Sequence, residues 1–204
     1  MGQDRPLIFK PLGRVEYEPT WRAMQEFTAQ RGSNTPDELR LCEHPPVFTQ
    51  GLAGKPEHLL ADIGIPVVKI DRGGQITYHG PGQLVCYLLL DLKPRGLGIK
   101  GLVNRMEQAV IDLLAEFGVN GERLPGAPGV YVAGAKIAAL GLKVKNGCCY
   151  HGLALNVAMD LSPFAAINPC GYPGMAVTQL SAFVPTADSE TVGAKLVDQL
   201  RVKL

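Results

Sequence analysis

Residues 129–159 read GVYVAGAKIAALGLKVKNGCCYHGLALNVAM, and this stretch decides the fold. Val130-Tyr131-Val132, Lys136 to Val144 and Cys148 to Met159 are successive runs rich in apolar, β-branched and aromatic residues, the composition of strands. Asn146-Gly147 joins the last two; both residues tolerate positive φ, which a tight two-residue hairpin requires. A meander of antiparallel strands is expected.

Working outward, Leu39 to Phe48 and Pro66 to Asp71 are short apolar runs bounded by Pro and Gly, and Gln83 to Leu92 is a third, more hydrophobic one; each reads as a strand. Tyr17, Trp21, Met24 and Thr28 recur at helical spacing around Pro19, so a first helix is expected near residues 19 to 31, with its stripe in the core. Ile99, Leu102, Val103, Met106, Val110, Leu113, Leu114 and Phe117 trace one face of a helix that stops at Gly118 and should pack on the sheet. Leu196, Val197 and Leu200 mark a C-terminal helix. Strands come in runs between a few helices, so the fold class is α+β: a mixed, largely antiparallel sheet with flanking helices, not a doubly wound one.

The 204 residues suit one domain spanning 1–204 and bury about 70% of their unfolded surface. Hydrophobic content of 46% with 19% charged residues is that of a soluble globular protein. A formal charge of +1 argues against nucleic acid or an anionic membrane as partner. No stretch reaches the roughly 18 uncharged apolar residues of a membrane span, and the N-terminus lacks a secretory pattern. Residence in the cytoplasm is expected. Cysteines 42, 86, 148, 149 and 170 are odd in number and without a CxxC pair, so reduced thiols are expected rather than disulfides or a metal site.

Four segments carry candidate chemistry. Arg72-Gly73-Gly74-Gln75-Ile76-Thr77-Tyr78-His79-Gly80-Pro81-Gly82-Gln83 joins two strands; its glycines let backbone N–H groups approach a ligand while its side chains supply fixed donors. It contains neither familiar phosphate-loop pattern. The plainer reading is a glycine-rich β-turn with His79 as a structural residue. Asn168-Pro169-Cys170-Gly171-Tyr172 sets a thiol between Pro and Gly, outside any periodic apolar segment. A thiolate is both a good nucleophile and a good leaving group, which suits acyl transfer, although a lone loop cysteine more often has no role. Lys136 stands among small and apolar residues, Gly134-Ala135 before and Ile137 to Gly141 after. Such a lysine lowers a neighbouring thiol's pKa or acts as a base; read alone, it is a strand-edge lysine snorkelling to water. Gly152-Leu153-Ala154 places small residues in an apolar strand, which opens room for a slender chain or serves tight strand packing.

Taken together and in this order, EHPPVFTQG, RGGQITYHGPGQLVCY, GAKIAALGLKV, YHGLALNV and INPCGY resemble the lipoyl(octanoyl) transferase family over residues 39 to 180. The resemblance implies the α/β fold of the biotin and lipoate protein ligase catalytic domains. It implies Cys170 as acyl-carrying nucleophile, Lys136 as the residue that lowers its pKa, and Arg72, Gly73, Gly74, Gln75, Ile76, Thr77, Tyr78, His79, Ala139, Leu140, Gly141, Gly152, Leu153 and Ala154 as acyl-binding residues. The implied reaction moves octanoyl from octanoyl-acyl carrier protein to a lysine of apo lipoyl domains, those of 2-oxoacid dehydrogenase E2 subunits and the glycine cleavage H protein. No cofactor, metal or ATP is implied, and a monomer is expected. Lys136, once deprotonated, is one candidate base for the incoming amine and His79 a second. Oxyanion donors would come from backbone near Gly171 or from the glycine-rich loop. The nearest rival is an ATP-dependent lipoate or biotin ligase on the same fold; a non-catalytic acyl-binding protein is a third reading.

Overall fold

The computed structural model describes residues 6–169 and 174–204. Two sheets are built from ten strands among these residues. Strands β1 (Leu7–Arg14), β2 (Asp37–Glu43), β6 (Gln83–Asp91), β7 (Glu122–Leu124), β8 (Ala127–Val132), β9 (Ala135–Lys145) and β10 (Cys148–Asn156) form a seven-stranded sheet ordered β1-β2-β6-β10-β9-β8-β7. Strands β3 (Val47–Gln50), β4 (Val67–Lys69) and β5 (Ile76–His79) form a small sheet ordered β4-β3-β5. Helices α1 (Tyr17–Ala29), α2 (Ile99–Glu116) and α3 (Ser189–Lys203) flank the large sheet.

The expected meander is present: β7, β8, β9 and β10 pair antiparallel in sequence, and β10 continues the pairing to β6. Asn146 and Gly147 adopt φ of 52° and 78°, the backbone that closes a two-residue hairpin with the strands' own twist. The sheet is mixed because β1 runs parallel to β2 and β4 parallel to β3.

β6 explains why Gln83 to Leu92 reads as a continuous apolar run. Leu84, Cys86, Leu88 and Leu90 face a core shared with α2 and α3, while Val85, Tyr87 and Leu89 face Met24 of α1. Successive side chains point to opposite faces and both faces are covered, so polar alternation disappears. Each buried leucine contributes about 1.5–3 kcal/mol relative to exposure. The α2 stripe packs as its spacing predicts, with Leu102, Met106, Val110, Leu113 and Leu114 fully buried. Ile99, at its first turn, is instead 54% exposed.

Two expectations need correction. The run Leu39 to Phe48 is two strands in different sheets, β2 and β3, because Pro45 and Pro46 lack the N–H that a continuous ladder needs. The glycine-rich segment is not all turn: Ile76 to His79 form β5, antiparallel to β3. Carrying the small sheet on these two strands places residues 72–79 over the α1-facing side of the large sheet.

Candidate active site

The large sheet's small residues make the floor of a cavity of about 410 Å³, within the size range of small-molecule sites. Gly152 of β10 pairs with Tyr87 on one side and Gly141 on the other; Ala154 pairs with Val85 and Ala139. Arg72 to Thr77 and His79 line the same cavity, as do Leu140, Leu153 and Lys136. Thus three separated segments and the singled-out lysine converge on one space. Tyr78 does not line it: its ring packs beside Phe48 and Phe164, with centroids 5.6 and 5.5 Å away, in a cluster that also takes the Ile76 side chain, whereas Thr77 and His79 alternate to the other side of β5.

The floor has to be built of small residues. A Cβ on Gly141 would lie 2.8 Å from Arg72 Cδ, and one on Gly152 would lie 2.0 Å from the Cys86 carbonyl oxygen. Arg72 is itself buried and clamped: Nη2 donates to the Thr49 carbonyl at 2.7 Å and to Thr49 Oγ1 at 3.0 Å, and Nη1 donates to the Gly73 carbonyl at 2.9 Å.

Lys136 is 4% exposed, which removes the snorkelling reading. Its Nζ donates to the Pro128 carbonyl at 3.2 Å and lies 5.2 Å from the Tyr131 ring centroid. Its backbone is held by a separate segment: Lys136 N donates to Ala176 O at 2.8 Å, and Thr178 N donates to Lys136 O at 2.9 Å. Cys170 lies outside the described residues, but the chain on both sides of it is moored. Asn168 N donates to His58 O at 2.8 Å, and Ala176 to Thr178 run alongside Lys136. Three of the other four thiols, all buried, are unsuited to nucleophilic work. Burial pushes Cys42 up, and pushes Cys86 and Cys149 up to about 12, so all three stay protonated near neutrality.

A directed relay of hydrogen bonds crosses the site. Arg72 donates to Thr49 Oγ1, and the Thr49 hydroxyl donates to His79 Nε2 at 3.3 Å. His79 Nδ1 donates to Gln83 Oε1 at 2.7 Å, Gln83 Nε2 donates to Asn156 Oδ1 at 2.9 Å, and Asn156 Nδ2 donates to the Thr178 carbonyl at 2.9 Å. The tautomer of His79 follows from its partners: Gln83 uses its NH₂ elsewhere, so its oxygen must accept. Burial, reinforced by His44, lowers the His79 pKa to about 3. With both nitrogens engaged and so weak a basicity, His79 fits a structural link and not a base.

Several polar residues that the sequence reading did not single out surround the cavity. Asp71 accepts from Trp21 Nε1 at 2.8 Å, Gln25 Nε2 and His151 Nε2 at 3.0 Å, and the Tyr150 hydroxyl. Burial alone would raise its pKa; these donors, His151 first, overcome that and hold it well below the usual carboxylate range. His151 adopts φ of 64° inside β10, a left-handed conformation that costs a non-glycine residue about 1–3 kcal/mol. The Asp71 bond is what compensates. His44 Nδ1 donates to the Val15 carbonyl at 2.6 Å, so its Nε2 accepts from the Tyr87 hydroxyl at 2.7 Å. Tyr17, assigned to the core by its spacing, is buried but also lines the cavity and stacks on His79 at 5.7 Å. The available signals were Tyr87 within an apolar run and Tyr150-His151 just before a glycine; neither identifies a partner without the fold. Among the described residues, no group of three or more His, Cys, Asp or Glu is placed to hold a metal ion, and no helix is long and apolar enough to cross a membrane.

Comparison with known proteins follows the same line. The family model of the lipoyl protein ligase A/B catalytic domain matches residues 16–201. An octanoyltransferase of Thiobacillus denitrificans is 72% identical over 86% of this chain and 81% of its own length. One from Dechloromonas aromatica is 60% identical over 98% and 97%. Among solved structures, lipoate-protein ligase A bound with ATP superposes with a TM-score of 0.76 at 17% identity, over 98% of this chain and 85% of that one. The biotin protein ligase of Aquifex aeolicus in complex with biotin and ATP gives 0.58 at 13% identity, over 97% and 69%; at such identities the likeness is of fold. The mixed sheet, the cavity and the high identity of the relatives place the chain in the lipoyl(octanoyl) transferase family, within the lipoyl protein ligase A/B catalytic domains, and make it an acyltransferase.

Proposed function

We propose that the protein moves an octanoyl group from the thioester of an acyl carrier protein onto Cys170, and from Cys170 to a lysine amine of apo lipoyl domains, acting as a monomer. The observation that carries this reading is the convergence of Lys136, Arg72 to Thr77, Ala139 to Gly141 and Gly152 to Ala154 on one cavity. Octanoyltransferase relatives at 60–72% identity support the acyl group. Asn168 on one side of residue 170, and Ala176 to Thr178 on the other, are held by backbone hydrogen bonds, the latter to Lys136 itself.

In the first step the Cys170 thiolate attacks the thioester carbonyl and the carrier's thiolate leaves. In the second a deprotonated lysine amine attacks the Cys170 thioester, the Cys170 thiolate leaves, and the amide forms. The first exchange is nearly balanced and the second runs downhill, so no nucleotide is consumed. An unassisted thiol of pKa about 8.5 is only a few per cent ionised at neutral pH. The Lys136 ammonium supplies the missing stabilisation, each unit of lowering being worth about 1.4 kcal/mol. The Lys136 ammonium gives its proton to the departing carrier thiolate, and the neutral amine is then the base for the incoming lysine; the buried, doubly bonded His79 is not.

The test is a mass measurement in nucleotide-free buffer. Incubation with octanoyl carrier protein is expected to leave an octanoyl adduct that maps to Cys170 and discharges onto an added apo lipoyl domain. Cys170→Ala is expected to abolish both, and Lys136→Met to fold but acylate slowly. An adduct that persists in Cys170→Ala, or turnover that demands ATP, refutes the reading.

A further inference from the structure

Helix α2 carries one buried acidic residue within its core-facing side. Glu107 is 5% exposed, next to Met106 and one turn from Val110. Its Oε1 accepts from Gly129 N at 3.0 Å, and its Oε2 accepts from Arg123 Nε at 2.8 Å. The Gly129 N–H belongs to the same peptide unit as the Pro128 carbonyl, which accepts from Lys136 Nζ. Glu107 and Lys136 therefore hold opposite ends of one peptide group.

Two features separate this from a simple strand anchor. Gly129 has φ of 136°, and a Cβ there would lie 2.8 Å from Ala138 O and 3.1 Å from Lys136 Cε; the backbone is brought against the lysine's stem where only glycine fits. A neutral amide could tie β8 to α2 equally well, at less desolvation cost than a carboxylate. A charge on the N–H side of a peptide polarises it and strengthens its carbonyl as an acceptor. That favours the ammonium form of an amine bound there.

We propose that Glu107 is a positioning residue: acting through the Pro128–Gly129 peptide, it fixes the Lys136 amine and keeps it cationic. Arg123, whose side chain is 40% exposed, partly screens that charge. The catalytic consequence rests on the function proposed above; the effect on Lys136 does not.

The closing experiment follows the Lys136 amine itself, by ¹³C NMR of lysine Cε in ¹³C-lysine protein, with Lys136→Arg identifying the resonance. Glu107→Gln keeps an oxygen for Gly129 N–H but removes the charge, and is expected to lower the Lys136 titration midpoint by about one pH unit. Arg123→Ala is expected to raise it, and being a surface truncation it keeps the test open should Glu107→Gln fail to fold. An unmoved midpoint in Glu107→Gln, or an equal fall in both variants, overturns the inference. Absence of an octanoyl adduct in the unmutated protein refutes the function proposed above and leaves the Glu107 result standing.

Discussion

Replacing Gly141 by Ala tests the floor of the cavity directly. Gly141 does not adopt a left-handed backbone, so alanine brings no conformational strain, but its methyl would lie 2.8 Å from Arg72 Cδ. Such a contact forces Arg72 to move. Its guanidinium is fixed by three hydrogen bonds, to the Thr49 carbonyl and hydroxyl and to the Gly73 carbonyl, and a shift that breaks one charged hydrogen bond costs about 1.5–3 kcal/mol. For a chain of this size that corresponds to a fall in Tm of roughly 3–12 °C. The same movement narrows the space between Arg72 and the Gly141–Gly152 floor, so acylation should suffer beyond the stability loss. The assay pairs a thermal melt with single-turnover adduct formation from octanoyl and from butanoyl carrier protein at a temperature where the variant is folded. The expected result is a lowered Tm and a rate loss larger for octanoyl than for butanoyl. An unchanged Tm together with equal rates for both donors would refute the placement of Gly141 beneath the chain.

Gly152→Ala offers the contrast: its Cβ would meet the Cys86 carbonyl at 2.0 Å, backbone on a central strand that cannot move aside. Loss of more than about 3 kcal/mol is expected, read as failure to yield folded protein, and a native melt would contradict it. Acid stability carries a second signature. Burial lowers His79 to about 3 and also lowers His44 and His151. The unfolded chain, with histidines near pKa 6.5, therefore binds protons that the folded one does not, and stability present above that value is lost as pH falls through the window from about 6.5 to 3. The slope per histidine is at most about 1.4 kcal/mol per pH unit. Denaturant melts at stepped pH should show it, and His79→Gln should flatten it; a stability independent of pH between 7 and 4 would contradict the buried neutral state.

The fold was largely legible because its central elements repeat a simple period. Asn146-Gly147 announced its hairpin, and the α2 stripe ended at Gly118, whose φ is 73°. β1 was not legible. It is an edge strand, interrupted by Pro11 and Gly13, with a register shift between them, and only half covered along its length, so it offers neither alternation nor an apolar run. Of the site, the segments were legible but not their mutual contacts. Small residues at 139, 141, 152 and 154 announce an empty strip on a strand, whereas the pairing that makes them one floor is a matter of register. Asp71 reads as an ordinary charged residue until Trp21, Gln25, Tyr150 and His151 gather on it. Glu107 reads as a solvated helix residue for the same reason. Tyr78 shows the converse: it stands within the motif, yet strand alternation turns it away from the space its neighbours line.

The relay from Arg72 to Thr178 has a polarity, and polarity makes it brittle in one direction. Every link points its hydrogen the same way, and His79 is the only member whose donor–acceptor sense depends on a proton. Were a proton to reach Nε2, that nitrogen would present a hydrogen to a Thr49 hydroxyl that must now accept from both Arg72 and His79. The mismatch would arise beside the glycine-rich wall, while the far end of the same line secures the Asn156–Thr178 contact and, through Thr178 N, the backbone of Lys136. Buried at the end of β5, where the chain passes from the small sheet to the large one, the uncharged imidazole keeps the two halves of that line joined, the cavity wall at one end and the mooring of the lysine at the other.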